Sequence, residues 1–126
     1  MNLEKFEKLD KNKKNRIIEA AMDEFIKEGF NGASTNTIVK NAEISKGALF
    51  NYFENKENLY LYLIKENLNK LLANFQGKKE LPKSLEFFEG LELFINANIN
   101  FFTTHPNTFK FLANAIISAP PHIRET

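Results

Sequence analysis

Two serines, Ser34 and Ser45, constrain this chain more than any other feature. Each stands directly ahead of a short apolar stripe, where a side-chain hydroxyl can accept from the free backbone N–H groups of a helix's first turn. After Ser34 come Ile38, Val39 and Ala42; after Ser45 come Leu49 and Phe53. Only Glu43 and Ile44 separate Ala42 from Ser45. Two helices this short, joined this tightly, need a longer element to brace them. One precedes them. Ile17, Ile18, Ala21, Phe25 and Ile26 recur at three- and four-residue spacing and make one apolar face. Gly29 is placed to stop that helix in a left-handed cap, with Phe30 folding back on Phe25 or Ile26.

The flanks continue the helical pattern. Residues 1–10 alternate charge signs with little apolar pattern and read as a frayed end. Lys11, Lys13, Lys14 and Arg16 form a basic run without an acid. Asn55 caps a fourth helix, with Glu57 near the positive end of its dipole, and the apolar positions Leu59, Leu63, Leu68, Leu71, Leu72 and Phe75 carry it to near Gly77. Gly77 to Leu81 reads as a polar linker, and Pro82 opens a fifth helix rich in Phe. His105-Pro106 breaks it, and a sixth helix runs from about Pro106 to Ser118, ahead of Pro120-Pro121. No strand alternation occurs anywhere. The expected fold is all-α: a three-helix, homeodomain-like helix-turn-helix domain over residues 1–54, with helices near 12–28, 35–42 and 46–52, followed by a helical part over 55–126.

Composition narrows the chemistry. With no Cys among 126 residues, disulfides, thiolate nucleophiles and Cys-ligated metals are excluded. His105 and His122 lie far apart in sequence without carboxylate company, and neither reads as catalytic or metal-binding. No nucleophile–base pair, metal cluster or phosphate loop is visible, so neither an enzyme nor a cofactor is expected. No stretch approaches the ~20 apolar residues of a membrane span, and the N-terminus lacks a signal peptide's apolar stretch, so the expected location is cytoplasmic. A net charge of +1 argues against wrapping nucleic acid by bulk charge and directs attention to local basic sites.

In a helix-turn-helix the second helix enters the major groove of double-stranded DNA, N-terminal end first. Here it begins Ser45-Lys46-Gly47-Ala48, and small residues at Gly47 and Ala48 let the backbone approach. With Leu49 and Phe53 committed to the core, Lys46, Ala48, Phe50, Asn51 and Tyr52 are expected on the outer surface. Lys can pair with phosphate or guanine, Asn with adenine, and Ala or Phe can touch a thymine methyl. Ser34, Thr35 and Asn36 open the preceding helix and Lys56 opens the following one, and both helix starts are natural phosphate sites. The basic run from Lys11 to Arg16 reads equally as a flanking DNA contact or as a solvated helix start.

Taken together, Gly29-Phe30, Ser34-Thr35 with Ile38 and Ala42, the run Ile44 to Phe53, and Lys56-Glu57-Asn58-Leu59 closely resemble the DNA-binding domain of the tetracycline-repressor family. The resemblance covers roughly residues 12–65. It implies a homodimer on a palindromic operator, usually repressing, with a small ligand in a helical C-terminal domain that releases the DNA. It places DNA contacts on Thr35, Ser45, Lys46, Gly47, Ala48, Phe50, Asn51, Tyr52 and Lys56. Residues 55–126 become the first helices of a ligand-binding and dimerisation domain, truncated relative to the family. A small hydrophobic effector is the expected ligand, with Phe87, Phe94, Phe101 and Phe109 as candidate pocket residues beside their plainer reading as core. Phe50 departs from the family's usual Tyr and lacks its hydroxyl, and Glu43 stands where Gly is common. The competing reading is an all-α protein-interaction module without DNA binding. Lys46, Gly47, Asn51 and Tyr52 weigh against it, because a helical partner wants an apolar stripe. For the C-terminal half, Phe101, Phe109, Leu112 and Ile116 are expected to form an uncovered apolar surface.

Overall fold

The computed structural model describes residues 2–75 and 100–124, and every described element is a helix. Phe87, Phe94, the polar linker and most of the expected fifth helix lie outside the described residues. The order is α1 (Leu3–Glu7), α2 (Lys11–Gly32), α3 (Thr35–Ala42), α4 (Lys46–Phe53) and α5 (Lys56–Phe75), then α6 (helical at residues 100–104), α7 (Pro106–Ser118) and α8 (Pro121–Arg124).

The N-terminus is not frayed, which corrects the sequence expectation. The Asn2 side chain accepts from the Lys5 N–H at 3.3 Å and starts α1, whose Phe6 is 0% exposed. Asp10 then accepts from the N–H groups of Asn12 and Lys13, so α2 begins with an anionic cap at its positive end.

Gly29 takes the positive φ expected of it, 73°, but with ψ at 175° it kinks α2 instead of ending it, and the helix resumes to Gly32. Phe30 does return onto Phe25, the rings nearly parallel with centroids 6.3 Å apart. Phe25 also packs against Tyr60 at 4.8 Å and Phe111 at 6.4 Å, so α2, α5 and α7 meet in one aromatic cluster. Among the described residues, one buried cluster draws on α1 to α5, α7 and α8. Truncating a buried Phe of this kind to Ala costs about 3–5 kcal/mol.

His105 leaves the helical track and Pro106 takes the first turn of α7, as the sequence implies. Two expectations for this half need correction. Phe101 is buried, its ring stacked on His105 with centroids 4.4 Å apart. His122 does have carboxylate company: its Nε2 lies 2.9 Å from Oε1 of Glu57, and its ring lies edge-on to Phe30. Phe109, Ile116 and Ile117 are exposed on α7.

Candidate nucleic-acid interface

Three helix starts and one turn build the interface, and each is fixed by a contact that can be named. At the start of α3 the Ser34 hydroxyl accepts from the Thr37 N–H at 3.3 Å, while the Ser34 N–H donates to Oε2 of buried Glu24 at 2.8 Å. Thr35 and Asn36 follow in the first turn, partly and fully exposed respectively. At the far end of α3, Nε of Arg16 donates to the Ala42 carbonyl at 2.7 Å. Both ends of this short helix are thereby bound to α2.

The turn that follows needs a left-handed residue, and Glu43 supplies it with φ 58° and ψ 43°. Its N–H and that of Ile44 return to the carbonyls of Lys40 and Val39, closing the end of α3. A non-glycine residue in this region costs about 1–2 kcal/mol. Ser45 then caps α4 through the Ala48 N–H at 3.0 Å.

The two faces of α4 separate cleanly. Leu49, Tyr52 and Phe53 are buried, an i, i+3, i+4 set. Lys46, Gly47 and Asn51 are exposed, with Ala48 and Phe50 half-buried. The placement of Tyr52 on the outer surface is therefore corrected: it is 5% exposed and packs on Phe6 and Phe53. The outer stripe holds Lys46 above Phe50, the ammonium 5.8 Å from the ring centroid, beside Gly47 and Asn51. A Cβ built on Gly47 would meet nothing within 4 Å, so nothing in the protein itself requires glycine there.

At the start of α5, Asn55 Oδ1 accepts from the Asn58 N–H at 2.7 Å. The Lys56 ammonium is engaged inside the protein, donating to the carbonyls of Ala33 at 3.2 Å and Asn31 at 3.4 Å and lying 4.7 Å from the Phe30 ring centroid. This brings the start of α5 beside the start of α3, so two sets of free helix N–H groups share one end of the head. The basic run is similarly divided. Lys14 binds Glu7, Arg16 binds Ala42, and Lys11 stays exposed.

Sequence reasoning missed Phe6, Glu7 and Glu24. The burial of Tyr52 was readable from its i+3 relation to Leu49. Glu24 and Glu7 gave no local signal, because their partners lie on other helices.

Among the described residues, a cleft of about 320 Å³ lies between α2, α5 and the α6–α7 turn. Asn15, Glu19, Met22, Lys70 and His105 are among its walls; Phe101 and Phe109 are not. Among the described residues no group of His, Asp and Glu could hold a metal ion, and no helix is long and apolar enough to cross a membrane.

Residues 17–63 match the model of bacterial regulatory proteins of the tetR family. Over these residues the chain is a tetR-family DNA-binding domain. It is 42% identical over 72 residues to the HTH-type transcriptional regulator QacR of Staphylococcus aureus, covering 57% of this chain and 37% of QacR. Over 108 residues it is 32% identical to the uncharacterized HTH-type transcriptional regulator YhgD of Bacillus subtilis, covering 83% of this chain and 54% of YhgD. A crystal structure of a TetR-family transcriptional regulator from Chloroflexus aurantiacus superposes with a TM-score of 0.77 at 26% identity, covering 98% of this chain and 58% of that one. The chain thus spans between 37% and 58% of the length of these relatives. Its fold is theirs, a helix-turn-helix DNA-binding head followed by a helical domain.

Proposed function

We propose that this chain is the reading head and first regulatory helices of a ligand-responsive repressor that binds a palindromic operator as a homodimer in the cytoplasm. Residues 1–54 form the head in this reading, and 55–126 begin the ligand-binding and dimerisation part. The observation that carries it is the outer face of α4, where Lys46, Gly47 and Asn51 stand clear of the protein and Gly47 leaves space that no side chain of the chain uses. A face of this kind fits DNA: the missing Cβ admits a closely approaching surface, Asn51 matches adenine, and Lys46 matches guanine or phosphate.

The remaining contacts divide by chemistry. Ser34, Thr35, Asn36, Ser45 and the first turn of α5 at Lys56 hold phosphates through backbone N–H groups and hydroxyls. Ala48 and Phe50 touch base edges or thymine methyls. Tyr52 contributes through its position behind the helix. A homodimer answers the small number of base contacts one helix-turn-helix can make, and the exposed apolar positions on α7 supply a surface for association. The effector is a small hydrophobic molecule held in the C-terminal part, and no catalysis is involved.

Selection of bound sequences from random double-stranded DNA tests the reading. The expected product is a palindrome whose half-sites lie about 10 base pairs or a multiple apart. Recovery of unrelated sequences, with binding that tracks salt alone, refutes specific reading.

A further inference from the structure

We propose that α1 braces the reading helix, with Phe6 and Glu7 as positioning residues for DNA recognition; this rests on α4 being the helix that meets DNA. An eight-residue helix such as α4 has little stability of its own, and its orientation is set by what it packs against. Its start is fixed by the turn at Glu43 and the Ser45 cap. Its end is fixed by α1. The Asn2 N–H donates to the carbonyls of both Asn51 and Tyr52 at 3.1 Å, groups that the last turn of a helix leaves without an intrahelical partner.

Phe6 completes the hold. Its ring lies 4.8 Å from Phe53, 5.6 Å from Tyr52 and 5.5 Å from Tyr62, wedged between the buried face of α4 and α5. One residue on, the Glu7 carboxylate accepts from the Tyr62 hydroxyl at 2.6 Å and from the Lys14 ammonium at 2.5 Å. So α1 is tied to α4 at its first residues and to α2 and α5 at its last. The family match begins only at residue 17, and this element lies outside it. A recognition surface has to be held within about 0.5 Å of its productive geometry, so a support that sets the tilt of α4 acts on base reading while touching no base.

Hydrogen exchange on the free 126-residue chain and affinity for the selected DNA test this in parallel, using Phe6→Ala, Phe6→Leu and Glu7→Gln. In Phe6→Ala the amides of Phe50 to Glu54 should exchange at least about tenfold faster while those of α3 keep their rates. Affinity for the selected sequence over random DNA should fall about tenfold with the salt slope unchanged. Phe6→Leu, which keeps apolar bulk, should retain most of both, and Glu7→Gln should move both in the same direction by less. Equal acceleration across α2, α3 and α4 would reduce α1 to general stability and overturn the proposal, as would unchanged exchange in α4. The exchange result needs no DNA. If the unmodified chain selects no sequence, the DNA reading falls while exchange still decides the brace.

Discussion

Arg16 donates through Nε to the carbonyl of Ala42 at 2.7 Å, so a residue in the second turn of α2 closes the far end of α3. The acceptor belongs to a residue with no exposed surface. Removing the guanidinium leaves a buried carbonyl without its donor, which costs about 1–3 kcal/mol. Arg16→Ala should therefore lower thermal stability by that amount, and Arg16→Lys should recover only part of it, because the planar donor is lost. Melting temperatures of the two variants check this; a stable Arg16→Ala with weakened DNA binding would instead return Arg16 to the DNA surface.

Gly47 offers a cleaner separation of stability from function. Space around it is open, and alanine is preferred over glycine in a helix by about 0.5–1 kcal/mol. Gly47→Ala is expected to raise or preserve the melting temperature while weakening binding to every DNA sequence. A variant that binds as tightly as the parent would show that α4 never approaches DNA closely at this point.

Glu43 is held in the left-handed region at φ 58°. Glu43→Gly should stabilise the chain by about 1 kcal/mol, since glycine adopts this conformation without a Cβ penalty. It also removes a negative charge from the turn, so DNA affinity should rise with it. Chemical denaturation beside a binding titration measures both.

The Glu7–Tyr62 contact sets a pH window. Hydrogen bonds from Lys14 and then Tyr62 hold the Glu7 carboxyl below its ordinary range, so its contribution is present above the unfolded-state value and fades as pH falls through the folded one. Burial, and then the bond to Glu7, push the Tyr62 hydroxyl upward, so the folded state favours its neutral form. That contribution is complete below the ordinary tyrosine range, near 10, and is lost as pH rises beyond it. Tyr62→Phe should therefore flatten the alkaline limb of a stability–pH profile and Glu7→Gln the acid limb. An unchanged alkaline limb in Tyr62→Phe would break the link.

Ile116 and Ile117 are 73% and 80% exposed on α7. An apolar surface of this kind drives association. The chain should sediment as more than a monomer at high concentration, and Ile116→Glu with Ile117→Glu should return it to a monomer. Concentration-independent monomer behaviour in the parent would remove α7 from any interface.

The parts legible in the sequence are those whose physics is local. Ser34, Ser45 and Asn55 cap within three residues of themselves, and the buried pair Leu49 and Phe53 is spaced along one helix. Chain reversal at Glu43 is equally local. What escaped is long-range. A five-residue helix has too little length to show a period, and the partners of Phe6 are Tyr52, Phe53 and Tyr62. The cations Lys14 and Arg16 looked like one solvated run because Glu7 and Ala42, which bind them, lie on other helices. His122 looked solitary for the same reason, since Glu57 meets it only after α8 has docked.

The bond from the Asn2 N–H to the carbonyls of Asn51 and Tyr52 has a practical side. Any polypeptide joined ahead of residue 2, whether an affinity handle or a fluorescent fusion, emerges alongside the exposed amide of Asn51. Bulk there would stand between the helix and a ligand arriving on that face. Comparing such a fusion with the parent chain would show how much of the surface around Asn51 an incoming duplex needs.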